Sequence, residues 1–381
     1  MEHKTRIKGN VHYVGVNDRN KHRFEGMWPL PYGVSYNSYL IDDEMVALVD
    51  TVDICYFEVY LRKIKQVIGE RPINYLIINH MEPDHSGSIR LIKQHYPGII
   101  IVGNKQTFGM IEGFYGVTGE QYLVKEGDFL ALGHHKLRFY MTPMVHWPET
   151  MMTFDETDGV LFSGDGFGCF GTVDGGFLDT RINVDKYWGE MVRYYSNIVG
   201  KYGSPVQKAL QKLGGLPISA ICSTHGPVWT ENIAKVIGIY DRLSRYDADE
   251  GVVIAYGSMY GNTEQMAEAI AEELSAQGVK NIVMHNVTKS HPSYIIADIF
   301  RYKGLIIGSP TYSNQIFPEV EALLSKILLR EVKGRYLGYF GSFTWAGAAV
   351  KRLAEFAEKS KFELVGDPVE MKQAMKDLTY T

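Results

Sequence analysis

NHMEPDHSGS, residues 79–88, directly follows the apolar run YLIIN (75–79), and the fold reading starts there. An apolar, β-branched run bounded by such a polar, Gly-containing segment reads as a strand with a loop at its carboxyl end. Within six positions the loop supplies His80, Glu82, Asp84 and His85. Alternate residues leaving a strand end can converge on one point, so these imidazoles and carboxylates can share a metal. Three further side chains have the same address. His146 follows LRFYMT (137–142), Asp165 ends VLFSGD, and His225 ends SAICSTH ahead of Gly226 and Pro227. Taken alone, a buried His or a strand-end Asp is more often a hydrogen-bonded structural residue than a ligand. Four strand ends that all deliver metal-competent groups read instead as one site built on the edge of a rigid sheet. His12, His95, His134 and His135 share no such pattern and read as solvated or core.

The donor set bears on the metal. Three imidazoles (His80, His146, His225) and three carboxylates (Glu82, Asp84, Asp165) suffice for two ions with one bridging carboxylate. Mixed nitrogen and oxygen donors without thiolate suit iron, manganese or zinc, and the carboxylate richness leans toward iron. The three cysteines, Cys55, Cys169 and Cys222, lie far apart with no C-x-x-C, which excludes a zinc ribbon or a cysteine-ligated iron centre. So sparse a count suits a reducing compartment.

Moving outward, 381 residues with 45% hydrophobic and 22% charged side chains make an ordinary folded chain of two or three domains. A net charge of −5 argues against nucleic acid as a partner, because that binding rests on phosphate neutralisation by Lys and Arg. No apolar run reaches the ~18–20 residues of a membrane span. MEHKTRIKGNVHYVG lacks the apolar centre of a signal peptide, so the expected location is the cytoplasm. YDRLSRYDADEG (240–251) is polar, and VVIAYG follows with the look of a new first strand, which sets a domain boundary near Gly251. Before it, MVALVD, YLIIN, IIIVG, LRFYMT, VLFSG and SAICST read as strands, and FEVYLRKIKQVIG and SIRLIKQHY as helices. After it, VVIAYG, TEQMAEAIAEELSAQG, NIVMHN, IIADIF, GLIIGSP, VEALLSKIL, YLGYFGS, AVKRLAEFAEKS and FELVG alternate as five strands with three or four helices. That order predicts a doubly wound parallel sheet covered on both faces.

A second constellation lies in this later part. SMYGNTE opens a helix directly after VVIAYG. Ser258, Asn262 and Thr263 offer hydroxyls and an amide, Gly261 permits close backbone approach, and the helix N-terminus adds unpaired N–H groups. This is a phosphate cradle without Lys or Arg, and it matches neither the G-x-G-x-x-G nor the G-K-[ST] pattern. SPTYSNQ (309–315) and SFTWAG (342–347) also follow apolar strands, at the carboxyl edge where such sheets bind ligands. Tyr312 and Trp345 can flank a flat ring there, or simply pack.

The strand-end pattern of the first part resembles the metallo-β-lactamase-like αββα fold, whose hydrolases carry H-x-H-x-D-H. Glu82 stands where the second His would be, which matches the diiron branch of that superfamily. The three later loops resemble flavodoxin and its FMN site. By that likeness Ser258, Met259, Tyr260, Gly261, Asn262 and Thr263 hold the phosphate. Pro310, Thr311, Tyr312, Ser313 and Asn314 then border the isoalloxazine from one loop, and Ser342, Phe343, Thr344, Trp345, Ala346 and Gly347 from the other. Thr344 and Ala346 depart from the Gly usual there.

The two parts in this order resemble flavodiiron proteins, α/β throughout, with residues 1–250 as the diiron domain and 251–381 as the FMN domain. The resemblance implies His80, Glu82 and His146 on one iron, Asp84 and His225 on the other, Asp165 bridging, and His85 outside the ligand set. It implies an oxidoreductase that reduces O2 to water or NO to N2O. It also implies a head-to-tail homodimer or a dimer of dimers. No rubredoxin-like or reductase segment follows, so the expected donor is separate: rubredoxin, or a flavin or deazaflavin reductase. Two other readings compete: a zinc hydrolase with an accessory flavodoxin domain, and an FMN electron carrier with a vestigial metal site. Glu82 and the full ligand set count against them.

Overall fold

A computed structural model describes residues 5–375. Two compact units emerge. The first runs to Tyr195 and resumes over Ser204–Asp241; the second comprises Ser196–Gly203 and the chain from Arg242 onward. The second unit therefore begins slightly upstream of Gly251. The charged stretch before Gly251 belongs to it, with Arg242 paired to Asp249 at 2.5 Å and the strand Asp249–Tyr256 already begun. Ser196–Gly203 joins it through contacts such as Asn197 Nδ2 donating to the Ser293 carbonyl at 3.0 Å. Among the described residues no helix is long and apolar enough to cross a membrane.

The first unit is two sheets face to face. The larger is ordered Arg6–Lys8, Val11–Tyr13, Tyr39–Ile41, Ala47–Val49, Tyr75–Ile77, Ile100–Gly103, Gln121–Leu123. The smaller is ordered Phe129–Ala131, Lys136–Met141, Met151–Asp155, Val160–Gly164, Ala220–Ser223. Ile41, Val49, Ile77 and Val102 from one sheet pack against Leu137, Phe139, Met151 and Phe162 from the other in one buried core. Helices cover the outer faces because their apolar residues fall on one stripe. In Phe57–Ile68 the buried residues are Phe57, Tyr60, Leu61, Ile64 and Ile68, and Gly69, at φ 64°, ends the helix. Asn104 caps Lys105–Tyr115 by accepting from the N–H groups of Gln106 and Thr107.

This packing brings four strand ends to one edge. Tyr75–Ile77 leads into residues 79–88, Lys136–Met141 toward His146, Val160–Gly164 into Asp165, and Ala220–Ser223 into His225.

The second unit is a parallel sheet ordered Ile282–Asn286, Asp249–Tyr256, Tyr302–Tyr312, Tyr336–Phe343, Glu363–Leu364, the 2-1-3-4-5 order of the doubly wound class. IIADIF resolves as helix Pro292–Arg301, capped by the His291 side chain at the Ser293 N–H. The strand order reverses between Asp249–Tyr256 and Tyr302–Tyr312, and the loops after these two strands border the crevice expected at such a switch point.

Candidate functional site

In the first unit all seven residues singled out from the sequence come together, and all are buried. Asp165 lies at the centre. Its Oδ2 is 3.1 Å from His146 Nε2 and 3.6 Å from His80 Nε2. Glu82 Oε2 closes that half, 3.2 Å from His146 Nε2 and 3.7 Å from His80 Nε2. The other oxygen, Oδ1, is 3.5 Å from His225 Nε2 and 3.1 Å from His85 Nε2. Asp84 closes the second half, 3.3 Å from His225 Nε2 and 3.6 Å from His85 Nε2. One carboxylate thus presents each oxygen to a different set of two imidazoles and a carboxylate.

His85, which sequence reading set outside the ligand set, is turned inward with the rest. The strand-end argument reaches His80, but His85 sits on the single turn Pro83–Ser86, and that turn redirects it toward Asp165.

The donors suit metal ions. Nε2 of His80, His85 and His225, and both oxygens of Asp84, are buried without a hydrogen-bond partner among the described residues. His85 Nε2 lies 3.1 Å from Asp165 Oδ1 yet lacks the alignment of a hydrogen bond. These atoms face a shared space rather than one another. Leaving so many buried polar atoms unpaired is costly unless a cation satisfies them. The ionisation states agree. Burial alone would raise the Glu82 carboxyl, but His146, hydrogen-bonded to it at 3.2 Å, and the neighbouring His80 ring bring it down to about 2. Burial likewise disfavours charge on His85, yet Asp165 and Asp84 outweigh it and lift the imidazole to about 10. The pocket is built to hold positive charge.

Residues that the motif reading missed orient the cluster. The Thr224 hydroxyl donates to Asp165 Oδ1. The Ser35 carbonyl lies 2.8 Å from His225 Nδ1, which fixes the proton there and leaves Nε2 its lone pair. Phe24 stands perpendicular to the His225 ring at 5.3 Å, and Tyr194 lies 5.8 Å from it. These act through packing or a single hydrogen bond from distant segments, and no local spacing announces them. Beside Glu82 and Asp84 the unit opens into a cavity of about 560 Å³ walled by Lys21, Phe24, Arg90 and Phe114.

In the second unit a cavity of about 440 Å³ is lined from the three predicted loops. Ser258, Met259, Tyr260, Asn262 and Thr263 contribute from the first, Pro310, Thr311, Tyr312, Ser313 and Asn314 from the second, and Ser342, Phe343, Thr344, Trp345 and Ala346 from the third. Gly261 does not line it, but its φ of +92° turns the loop into the helix Asn262–Ala276. Gly347 also lies off the lining, and a Cβ there would meet the Glu370 side chain. Gln373, which the motifs did not single out, completes the wall. Thr263 Oγ1 and Ser342 Oγ are 2.9 Å apart, joining the first loop to the third. Tyr260 and Trp345 are 90% and 83% exposed around this opening. Large aromatics left bare beside a polar-floored cavity of ligand size suit a flat, phosphate-bearing cofactor.

Known proteins agree with both units. A family model described as ODP family beta lactamase matches residues 34–226, and a flavodoxin model matches 254–380. An anaerobic nitric oxide reductase flavorubredoxin of Vibrio vulnificus is 32% identical over 94% of this chain and 73% of its own length. The rubredoxin oxygen:oxidoreductase of Desulfovibrio gigas superposes with a TM-score of 0.93 at 31% identity, covering 97% of this chain and 93% of that one. The flavodiiron protein of Giardia intestinalis gives 0.92 at 28% identity, covering 97% and 91%. A lactamase-like unit with a buried His/Asp/Glu cluster able to hold metal, followed by a flavodoxin unit and matched along nearly the whole chain, leaves one assignment: this chain belongs to the flavodiiron protein family.

Proposed function

We propose that this protein is a flavodiiron oxidoreductase that reduces O2 to water, NO to N2O, or both, with electrons entering through FMN. The observation that carries the reading is Asp165, whose two oxygens face two separate donor sets in a buried pocket. When bound, the iron pair supplies electrons and Lewis acidity at two adjacent points, enough for both atoms of O2 or for two NO molecules, and FMN supplies the electrons.

The chain's own groups do the rest. His80, His146 and Glu82 would hold one ion, Asp84 and His225 the other, and Asp165 both. The inward ring of His85 adds a donor beside the second set. The Thr224 hydroxyl fixes the Asp165 carboxylate so that neither oxygen turns away. Burial, reinforced by Asp165 and Glu82, raises the Tyr194 phenol well above its usual range, so it keeps its proton and remains a donor near the cluster. Phe24 and Tyr36, edge-on to His225, keep water off that imidazole. The cavity beside Glu82 gives a diatomic substrate access.

In this reading the first unit is the diiron domain and the second, which takes in Ser196–Gly203 and the chain from Arg242, is the FMN domain. The working unit is a head-to-tail homodimer, alone or paired into a dimer of dimers, and its donor is a separate cytoplasmic protein such as rubredoxin or a flavin or deazaflavin reductase. The exposed aromatics at the cradle support a partnered state, since one chain leaves them in water.

The test is one anaerobic assay with reduced donor, comparing O2 and NO turnover on a preparation analysed for metal. Two irons per chain and consumption of at least one gas are expected. Two zincs without iron would favour the hydrolase reading, and a fully loaded protein that consumes neither gas would favour the carrier.

A smaller prediction concerns the cradle. Thr263→Val removes one hydroxyl from the floor of the opening. The loss of one hydrogen bond to a charged group costs roughly 1.5–3 kcal/mol, so FMN should bind about 10- to 100-fold more weakly. Flavin content after exhaustive dialysis measures this, and full retention would remove Thr263 from the phosphate site.

A further inference from the structure

Behind His80, on the side away from the cluster, lies a carboxylate that the ligand motifs do not contain. Glu149 is fully buried. Its Oε1 is 2.7 Å from His80 Nδ1 and accepts from the Met81 N–H at 2.8 Å. The Asn104 side-chain amide donates to its backbone carbonyl at 2.6 Å and pins the loop. Trp147 stands edge-on to the His80 ring at 5.3 Å. His80 Nε2 faces the cluster and must keep its lone pair to bind an ion, so Nδ1 carries the proton and donates it to Glu149.

Two features set Glu149 apart from a structural prop. Its second oxygen, Oε2, is buried without a partner among the described residues. A buried carboxylate with half its capacity unmet is expensive, and no Lys or Arg pairs with it among the described residues. Besides the Met81 N–H, positive charge reaching it through His80 offsets that cost. The opposite half of the cluster lacks the counterpart, because His225 Nδ1 meets the neutral carbonyl of Ser35. Only the His80 half is backed by a hydrogen-bonded anion; on the other half a dipole faces His225, and the buried Asp50 carboxylate acts on His85 through space without a hydrogen bond to it.

We infer that Glu149 is a positioning residue that makes the two metal places electrically unequal, stabilising the more highly charged ion on the His80 side. This rests on the proposed function, which puts a redox-active ion there. An imidazole that donates to a carboxylate is a stronger base than one that donates to a carbonyl, and it favours ferric over ferrous iron. Supporting carboxylates of this kind typically change metal affinity about 10- to 100-fold.

The experiment is a redox titration of the iron-loaded holoprotein, with the iron followed by electron paramagnetic resonance and FMN by absorbance. Glu149→Gln keeps the shape and an oxygen for both donors but removes the charge. Its ferric-over-ferrous preference should fall by about tenfold, raising the iron midpoint by about 59 mV for one electron. Glu149→Asp keeps the charge but withdraws it by one methylene, so its midpoint should lie between those of Glu149→Gln and the wild type. That order supports the inference. Equal iron midpoints in all three proteins overturn it. Should Glu149→Gln fail to fold, a raised midpoint in Glu149→Asp supports it and an unchanged one overturns it. Wild-type protein that takes up no iron refutes the proposed function itself, whereas two irons with a midpoint indifferent to Glu149 refute only the present inference.

Discussion

Asp165→Asn is expected to empty at least half of the metal site while leaving the flavin in place. The variant keeps size and shape, so the strand end and its neighbours need not move. What changes is one oxygen, replaced by an amide nitrogen with two hydrogens and no available lone pair. In the native chain each Asp165 oxygen serves a different half. Whichever way the Asn amide turns, one half faces a donor where it needs an acceptor, and the shared negative charge is gone from both. Iron should fall from two per chain to one or fewer, and gas turnover should drop at least about 100-fold, the upper end of what losing even a supporting group costs a metal site. Iron analysis, absorbance of bound FMN and gas consumption on one preparation check this. Two irons in Asp165→Asn would mean that the bridge is made elsewhere.

The same residue shows what the sequence made legible. Asp165, His225 and His80 were readable because each sits at the end of an apolar run long enough to recognise as a strand. Glu82 and Asp84 were readable because they crowd beside His80 in one loop. The flavin loops were equally open, since in an alternating parallel sheet every ligand loop follows a strand. The direction of the His85 ring was not legible, because it depends on the turn Pro83–Ser86 rather than on strand alternation. Short strands such as Val11–Tyr13 and Tyr39–Ile41 escaped notice, since three wholly buried residues show no period. Ser35, Thr224 and Glu149 escaped because their meaning lies in contacts across long chain separations. The hydrogen bond from His80 to Glu149 spans 69 residues, and nothing local marks it.

Gly226→Ala is expected to destabilise the first unit by about 2–5 kcal/mol, although it adds a single methyl group. Two costs coincide at this position. The backbone is left-handed, at φ +80°, which costs a residue with a Cβ roughly 1–2 kcal/mol. The added Cβ would also lie 2.3 Å from Cys169 Sγ, inside a fully buried contact, and overpacking of this kind typically costs about 1–3 kcal/mol. Gly226 cannot easily retreat, because its N–H donates to Ser35 Oγ at 2.8 Å and its carbonyl accepts from the Asn37 amide at 2.9 Å. In metal-free protein, where ligand binding does not mask the change, the unfolding midpoint of the first unit should fall by about 4–20 °C. The two costs separate in a double-mutant cycle. Cys169→Ala deletes the sulfur that the new methyl group strikes, so Cys169→Ala combined with Gly226→Ala should recover the steric part and keep the backbone part. A coupling of about 1–3 kcal/mol in the relieving direction is therefore expected, and strictly additive losses would show that the loop after His225 does not run against Cys169. Because His225 immediately precedes this glycine, the pressure on Gly226 should also tilt its imidazole. Iron lost from Gly226→Ala should return in the double variant, tying the metal half held by His225 to the room kept by one missing side chain.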